Sequence, residues 1–526
     1  MGIRTVAVYS KADADVLHVR QADKSVLIGD ALPTESYLNI FAIIDAAKKT
    51  KVEAIHPGYG FLAENADFAE AIQAAGFFFV GPAPEVIRQM GDKVQARLCA
   101  NNAQVPCIPG VDKSLSLEEV KQFAGEYGFP ILLKAISGGG GKGMRRVNHS
   151  DDLEAAYKST VREAQASFGD GRVYVEKYIE NPRHLEVQIL GDGQGKVVHL
   201  GERECSVQRR HQKILEETPS PSISDSLREK LLSAAVQLGQ HVRYGSAGTV
   251  EFVVDGEENF YFLEMNTRLQ VEHTVTEKIT RIDIVEWMLR LASNEAFSLS
   301  QSDITFSGHS IEARLYAEDP TVGFLPSIGK LVHFEAEQKE GILIESVVEG
   351  GSEVTPFYDP MIAKVISYGA SRKQALEYLD RCLERLIVRG VHTNRLFLRE
   401  ILNHTDFQKG HVSTHFIADY FGDAFKPIPT SNQRETFLAI ALCLQSKQTG
   451  QTSFVLQIQG EEERVKASIQ GSTLIIGESE KAHSVSLDWI PGWPLGTLIL
   501  DEVEHVFQAF PLDNHLGWKV SQGVFE

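Results

Sequence analysis

Over the first 90 residues, short apolar runs alternate with amphipathic stretches. The spacing predicts strands over 5–9, 52–56 and 77–80, with helices over 35–48 and 64–75 between them. That β-α-β rhythm implies a parallel sheet covered by helices. A second α+β block follows to about residue 180, and a larger one continues to about 422. Two prolines, Pro427 and Pro429, then interrupt regular structure and mark a linker over 426–433. Beyond it the grammar changes. One apolar helix over 435–445 precedes strands over 453–459, 464–469, 473–477, 484–490, 497–503 and 505–510, an all-β or barrel pattern.

At 526 residues the chain exceeds one domain. Its 43% hydrophobic and 23% charged content is that of a soluble globular protein. The longest apolar runs, such as 437–444, fall well short of the roughly 18–20 residues of a membrane span. Residues 1–6 contain no long apolar core, so neither a signal peptide nor membrane insertion is expected. A net charge of −19 repels nucleic acid as a whole, leaving phosphate ligands to a local basic pocket. Five cysteines without a CxxC pair imply neither a disulfide framework nor a zinc site, and point to a reducing compartment.

Three stretches carry chemistry. In the first, a strand over 131–135 delivers Lys134 and runs into Gly138, Gly139, Gly140, Gly141, Lys142 and Gly143. Glycine lets backbone N–H groups approach phosphate oxygens and lysine adds a point charge. No Gly-Lys-Ser/Thr follows, so this is not a Walker loop. The second is a predicted β-hairpin of 248–255 and 259–265 around Gly256-Glu257-Glu258. A centre between Glu257 and Glu258 sets Glu251 opposite Glu264. Facing carboxylates destabilise a hairpin unless a divalent cation lies between them. If the chain stays extended, Glu264, Asn266, Arg268, Gln270 and Glu272 share one face, a row suited to a small anion and a proton. The third is the basic cluster Gln208-Arg209-Arg210-His211-Gln212-Lys213, either a nucleotide pocket or a surface patch. Arg183-His184 is either a strand-edge pair or a nucleotide contact.

Taken together these residues resemble the biotin carboxylase subunits and domains of biotin-dependent carboxylases, which have the ATP-grasp fold. The resemblance runs from about Arg4 to Phe421. It rests on His56-Pro57-Gly58-Tyr59-Gly60-Phe61-Leu62, Gly91-Asp92-Lys93, the Lys134 glycine run, Glu176-Lys177-Tyr178, the stretch 202–213, and Glu264-Met265-Asn266-Thr267-Arg268-Leu269-Gln270-Val271-Glu272-His273. It implies an α/β and α+β architecture in blocks. These are an N-terminal parallel-sheet domain over 1–90, an ATP-grasp domain over 91–290 with a lid at about 108–180, and a mixed α+β domain over 291–425. After the linker, 434–526 would be a helix-plus-β tail resembling the domain that docks on a carboxyltransferase.

By the same resemblance, Lys93 and Lys134 bind ATP phosphates, and Gly138–Gly143 belong to a closing lid. Glu176, Lys177 and Ile179 hold adenine, with His184, Gln208 and His211 near ribose and phosphates. Glu251, Glu264 and Asn266 carry Mg²⁺ or Mn²⁺, in two ions. Lys213 sits by the γ-phosphate and bicarbonate, and Arg268, Gln270 and Val271 hold the bicarbonate. Glu272 is the general base, and Arg268 also steadies the biotin enolate. Implied partners are a carboxyltransferase β subunit and a biotin carrier domain, on another chain or beyond this C-terminus, in an oligomeric complex. Stretches 308–320 and 358–364 look most like the methylcrotonyl-CoA type, which acts in leucine catabolism. The location would be bacterial cytoplasm or mitochondrial matrix. Nucleic acid and membrane are not expected as partners.

Three departures qualify this. The family's first strand and helix have no counterpart before Arg4. The tail lysines Lys447, Lys466, Lys481 and Lys519 lack the methionine neighbours of a biotinyl site. Where the family places an arginine facing biotin, this chain has Leu343, with no Arg or Lys between Gly341 and Glu353. Leu343 and the absent first strand favour a second reading, a non-catalytic ATP-binding scaffold. A third, another ATP-grasp ligase of the carbamoyl phosphate synthetase kind, is opposed by the run Arg268–His273.

Overall fold

The computed structural model describes all residues except 112, 137–142, 338, 427–430, 450–452, 459–460, 471–472, 477–481, 491, 512–517 and 523–526. Gly138, Gly139, Gly140 and Gly141, and part of the expected linker, therefore lie outside the described residues. Two compact units result: Met1–Arg314 with Ile366–Ala375 and Asp406–Tyr420, and Leu315–Val365 with Leu376–Thr405 and Phe421–Glu526.

In the first unit, the strand Val6–Ser10 pairs in parallel with Lys24–Gly29, and Ala54–Ile55 with Phe78–Phe79. Lys24–Gly29 was not expected from the pattern. The helices Ile40–Thr50 and Ala66–Ala74 start where Asn39 and Asn65 accept backbone N–H bonds, from Ala42 at 3.1 Å and Phe68 at 2.7 Å. Ile28, Ile43, Leu62, Phe68, Ile72 and Phe79 form their core. A second core, with Val120, Phe123, Ile131, Leu133 and Val175, joins the helix Leu117–Tyr127 to a sheet ordered Met144–Val147, Ile131–Ala135, Val173–Lys177. A capping box between Ser116 and Glu119 starts that helix.

The largest sheet of this unit runs Phe260–Asn266, Gly245–Val254, Arg183–Asp192, Val197–Arg209, Gln212–Thr218, antiparallel throughout, and continues into His309–Tyr316. Its side chains alternate between faces. Leu185, Val187, Ile189, Val250, Phe252 and Val254 pack with Leu227, Leu231 and Leu238 of the helix Asp225–His241. The intervening positions, His184, Glu186, Gln188, Thr249 and Glu251, are buried polar groups on the opposite face. An apolar face anchored by a helix thus presents a charged face on a rigid sheet.

In the second unit, seven strands from Ser453–Ile458 to Trp518–Gln522 form an antiparallel meander in chain order. The helix Ser431–Thr449 buries Ala439, Ile440, Cys443 and Leu444 against Leu474, Val485, Trp489, Leu498 and Phe507. The helix-then-strands expectation holds, with Trp518–Gln522 as an added strand. Leu343 lies half-buried on the strand Ile342–Ser346. Among the described residues, no helix is long and apolar enough to cross a membrane.

Candidate active site

The hairpin places Glu251 directly opposite Glu264, the expected pair. A bulge beside Glu251 supplies that register, because the pairs nearer the turn, such as Phe252 with Phe262, run one residue short of it. Glu251 is buried. Its Oε1 accepts from Lys213 Nζ and from Gln270 Nε2, each at 3.0 Å, and its Oε2 lies 2.9 Å from His184 Nε2. Burial opposes its ionisation, but Lys213 and His184 override that and hold its carboxyl far below the usual range. Glu264 is reached by solvent yet surrounded by protein, as in a cleft, and that enclosure with the Glu251 charge raises its carboxyl pKa. Asn266 accepts from Gln270 Nε2. Two facing carboxylates, one of them resisting ionisation, fit a divalent cation between them. His184, Glu186 and Glu251 also offer donor atoms within 4.8 Å of one another.

One test follows. Glu264→Gln removes the repulsion, so the metal-free protein should melt higher while Mg²⁺ affinity falls roughly 10–100-fold, the scale on which metal-site support is lost. Calorimetry with and without Mg²⁺ measures both; unchanged metal affinity would remove Glu264 from the site.

Lys213 is the hub. Its ammonium also pairs with Glu186 and reaches Glu272 Oε1 at 2.8 Å. The hairpin of Val197–Arg209 and Gln212–Thr218 explains its position. Arg210 and His211 both have positive φ in a two-residue turn, and Lys213 falls opposite Gln208. The basic cluster is therefore a hairpin tip with Gln208 and Lys213 on its inner end. Gln208 Nε2 lies 3.4 Å from His184 Nδ1. Burial, together with His184, His415 and Lys134, lowers the His211 pKa.

Glu272 lies at the start of the helix His273–Thr280, yet its side chain makes no capping bond. It is held instead by Lys213 and by Arg314 Nη2, 3.0 Å from Oε2. Burial raises its pKa, but Lys213, Arg314 and Arg203 outweigh that and keep the carboxyl well below its ordinary value. Below them Arg203, fully buried, pairs with Glu186 and donates to Gln188 at 2.8 Å and Thr276 at 3.0 Å.

The five-residue row needs correction. The strand ends at Asn266, and Glu272 already begins a helix, so the segment does not stay extended. Gln270 reaches the site from the connecting loop. Arg268 donates from Nε to Glu64 Oε2 at 2.9 Å and from Nη1 to Gln270 Oε1 at 3.3 Å. Val271 is half-buried beside them.

Two further cations lie nearby. Lys93 opens the helix Lys93–Asn102, capped by Asp92, whose Oδ1 accepts from Val94 and Gln95 at 2.9 Å. Burial and then Lys134 lower its pKa, while Glu264 opposes. A lysine at a helix N-terminus beside a second lysine suits a phosphate chain. Lys134 pairs with Glu176, which also accepts from Arg97 Nη1 at 2.8 Å. Lys177 Nζ donates to Tyr127 O at 2.9 Å and so closes a helix end. Ile179 is half-buried just past the strand Val173–Lys177, and Gly143 has φ +74.

Glu64, Glu186, Arg203, Glu216 and Arg314 were not singled out as site residues from sequence. The available signal was alternation: in Ile311-Glu312-Ala313-Arg314, charges recur every second residue of a strand whose residues are all buried.

Family profiles match in chain order: Biotin carboxylase, N-terminal domain at 1–87, Carbamoyl-phosphate synthase L chain, ATP binding domain at 92–300, and Biotin carboxylase C-terminal domain at 312–419. The biotin carboxylase of Halalkalibacterium halodurans is 49% identical over 421 residues, covering 80% of this chain and 93% of that protein. The human mitochondrial propionyl-CoA carboxylase alpha chain is 44% identical, covering 92% of this chain and 67% of its own length. The Dictyostelium discoideum methylcrotonoyl-CoA carboxylase subunit alpha is 47% identical, covering 84% and 64%. The biotin carboxylase domain of Hydrogenobacter thermophilus 2-oxoglutarate carboxylase, solved with MgADP, ADP and bicarbonate, superposes with TM-score 0.76 at 44% identity, covering 80% of this chain and 92% of that one. Campylobacter jejuni biotin carboxylase in a β,γ-ATP complex gives 0.77 at 44%, covering 80% and 94%. With this site on this sheet, and such identity across nearly the whole length of dedicated biotin carboxylases, the chain belongs to the biotin carboxylase family.

Proposed function

We propose that the chain carboxylates biotin, carried on a partner domain, with ATP and bicarbonate through carboxyphosphate. The observation that carries this is the Lys213 ammonium bridging Glu186, Glu251 and Glu272. It joins the carboxylates suited to a metal to the one suited to a proton, which is where phosphoryl transfer to bicarbonate needs its charge. Mg²⁺ or Mn²⁺ at Glu251, Glu264 and Asn266 would neutralise the phosphate charge that builds during transfer. Lys93 and Lys134 hold the phosphate chain, with Glu176, Lys177, Ile179, His184, Gln208 and His211 around the nucleoside. Arg268, Gln270 and Val271 hold bicarbonate, and Glu272 takes its proton so that the freed oxygen attacks the γ-phosphorus. Arg268 then steadies the enolate oxygen of biotin. The lid carrying Gly138–Gly143 shields the short-lived intermediate from water.

The acyl-CoA partner reaction is of the methylcrotonyl type, supported by stretches 308–320 and 358–364, and the tail docks on a carboxyltransferase β subunit. The assembly resides in bacterial cytoplasm or in the mitochondrial matrix. The test is ADP release with Mg²⁺ and bicarbonate, with and without free biotin. Biotin stimulation supports the reading, and nucleotide binding without any stimulation opposes it.

Leu343 favours a second reading, an ATP-binding scaffold impaired in the biotin half-reaction. Leu343→Arg distinguishes the two. A scaffold should gain biotin-stimulated ADP release on restoring the cation, whereas an already active enzyme should gain little.

A further inference from the structure

We propose that Arg314 is a positioning residue for Glu272: it grips Oε2, so that Oε1, the oxygen shared with Lys213, is the one that takes the bicarbonate proton, and Glu216 holds Arg314 in that attitude. This rests on Glu272 being the base. In the step, the bicarbonate O–H bond breaks, an Oε1–H bond forms, and the electron pair left on bicarbonate oxygen attacks the γ-phosphorus.

The two contacts of Glu272 differ in kind. Lys213 is a flexible stem whose charge is shared among three carboxylates. Arg314 is a planar fork on the strand His309–Tyr316, itself paired to Gln212–Thr218 from Leu215 through Thr218. Its Nε donates to Glu216 Oε1 at 2.6 Å and its Nη2 reaches Glu272 Oε2 at 3.0 Å. Glu272 is 0% exposed, Glu216 1% and Arg314 8%, so solvent does not compete for these bonds. One guanidinium on a sheet strand thus links the base to a second buried carboxylate. Lys213 can leave Oε1 free, while Arg314 keeps Oε2 occupied.

Glu216 gives the link a further readout. Its Oε2 is buried and makes no hydrogen bond. Burial raises its carboxyl to about 7, with Arg314 opposing and Glu272 adding to the rise. As pH rises through that value Glu216 ionises and draws more of the Arg314 charge, which leaves Glu272 the stronger base. The other charged or titratable groups facing Glu272 are Lys213 on the same strand as Glu216, Arg203 and Cys205 on the next, Glu186 beyond them, and Arg268 on the loop. Burial pushes the Cys205 thiol far up, while Lys213, Arg203 and Arg268 are all raised, so none of these four changes charge near pH 7. Glu186 is also raised by burial, and Glu216→Gln separates its titration from that of Glu216.

The experiment uses the full chain with Mg²⁺ and saturating bicarbonate, measuring kcat and the KM for ATP separately, with ADP binding as the folding control. Arg314→Lys should lower kcat roughly 10–100-fold, the scale of a misplaced reacting group, and leave the KM for ATP within about twofold; Arg314→Met should lower kcat further. Glu216→Gln should erase the rise in kcat near pH 7 while ADP binding persists. Unchanged kcat in both Arg314 variants overturns the proposal. So does a KM for ATP that rises in step with the loss, since that marks general structural damage. Should Arg314 variants fail to bind ADP, the near-isosteric Glu216→Gln decides, and a pH profile identical to the parent's overturns the proposal. Glu272→Gln measured alongside separates the two levels: if it stays active, the base assignment itself fails; if it is inactive while the Arg314 and Glu216 variants behave like the parent, only the positioning role fails.

Discussion

Glu272→Gln should lose bicarbonate-dependent ATP cleavage by roughly 10²–10⁴-fold, the usual contribution of a general base, while ADP binding survives. The carboxylate is fully buried and kept ionised by Lys213, Arg314 and Arg203, so it has a lone pair ready at neutral pH. Glutamine keeps the shape and one acceptor but cannot take the proton. The surroundings tolerate the change, because Lys213 retains Glu186 and Glu251, and Arg314 retains Glu216. A coupled ADP-release assay and ADP calorimetry on the same preparation decide it. Activity within tenfold of the parent, or nucleotide affinity falling as far as activity, would overturn the assignment.

Arg203→Met should be the most destabilising single change in this sheet. The guanidinium is 0% exposed and joins Glu186, Gln188 at 2.8 Å, Thr276 at 3.0 Å and Thr249 at 3.2 Å. Methionine fills much of the space but leaves Glu186, also 0% exposed, with Lys213 as its remaining cation. Breaking a buried pair on one side costs about 3–5 kcal/mol. The first thermal transition should therefore fall by several degrees, judged on that transition because a chain of two units need not melt in one step. Burial already raises the Glu186 pKa, with Arg203 opposing, so losing Arg203 raises it further. A carboxyl with a raised folded pKa contributes stability below its unfolded value that is lost as pH rises, so the defect should shrink on acidification. Adding Glu186→Gln should recover part of the loss at neutral pH. A melting temperature within a degree or two of the parent's would show that the arginine is not the keystone of the charged face.

Several features were legible in the sequence because they are local. Counting outward from a centre between Glu257 and Glu258 places Glu251 against Glu264, and the pair forms, although the bulge beside Glu251 and not the turn alone sets its register. The helix-then-strands tail follows from periodicity. The glycines and lysines of the candidate phosphate site show in runs of a few residues, and with the Glu264–His273 decapeptide they carry the family. Where the pattern failed, a local signal was contradicted by neighbours. Alternation from Glu264 to Glu272 looks extended, but the chain leaves the sheet after Asn266 and enters a helix at His273. Gln270 therefore meets Glu251 from a loop rather than from a strand face.

By itself the sequence determined the helix-then-strands order of the tail, the hairpin that carries Glu251 and Glu264, and the family. Tertiary structure alone decided how the charges are balanced. Glu186, Arg203, Lys213, Glu216, Glu272 and Arg314 come from four strands and a helix start, yet converge on one buried face because the helix Asp225–His241 covers the other. The bond between Arg314 and Glu272 spans 42 residues, and that between Arg203 and Thr276 spans 73. Removing any of these charges from water is costly unless its partner arrives with it. Sheet pairing, which no local periodicity encodes, supplies each partner.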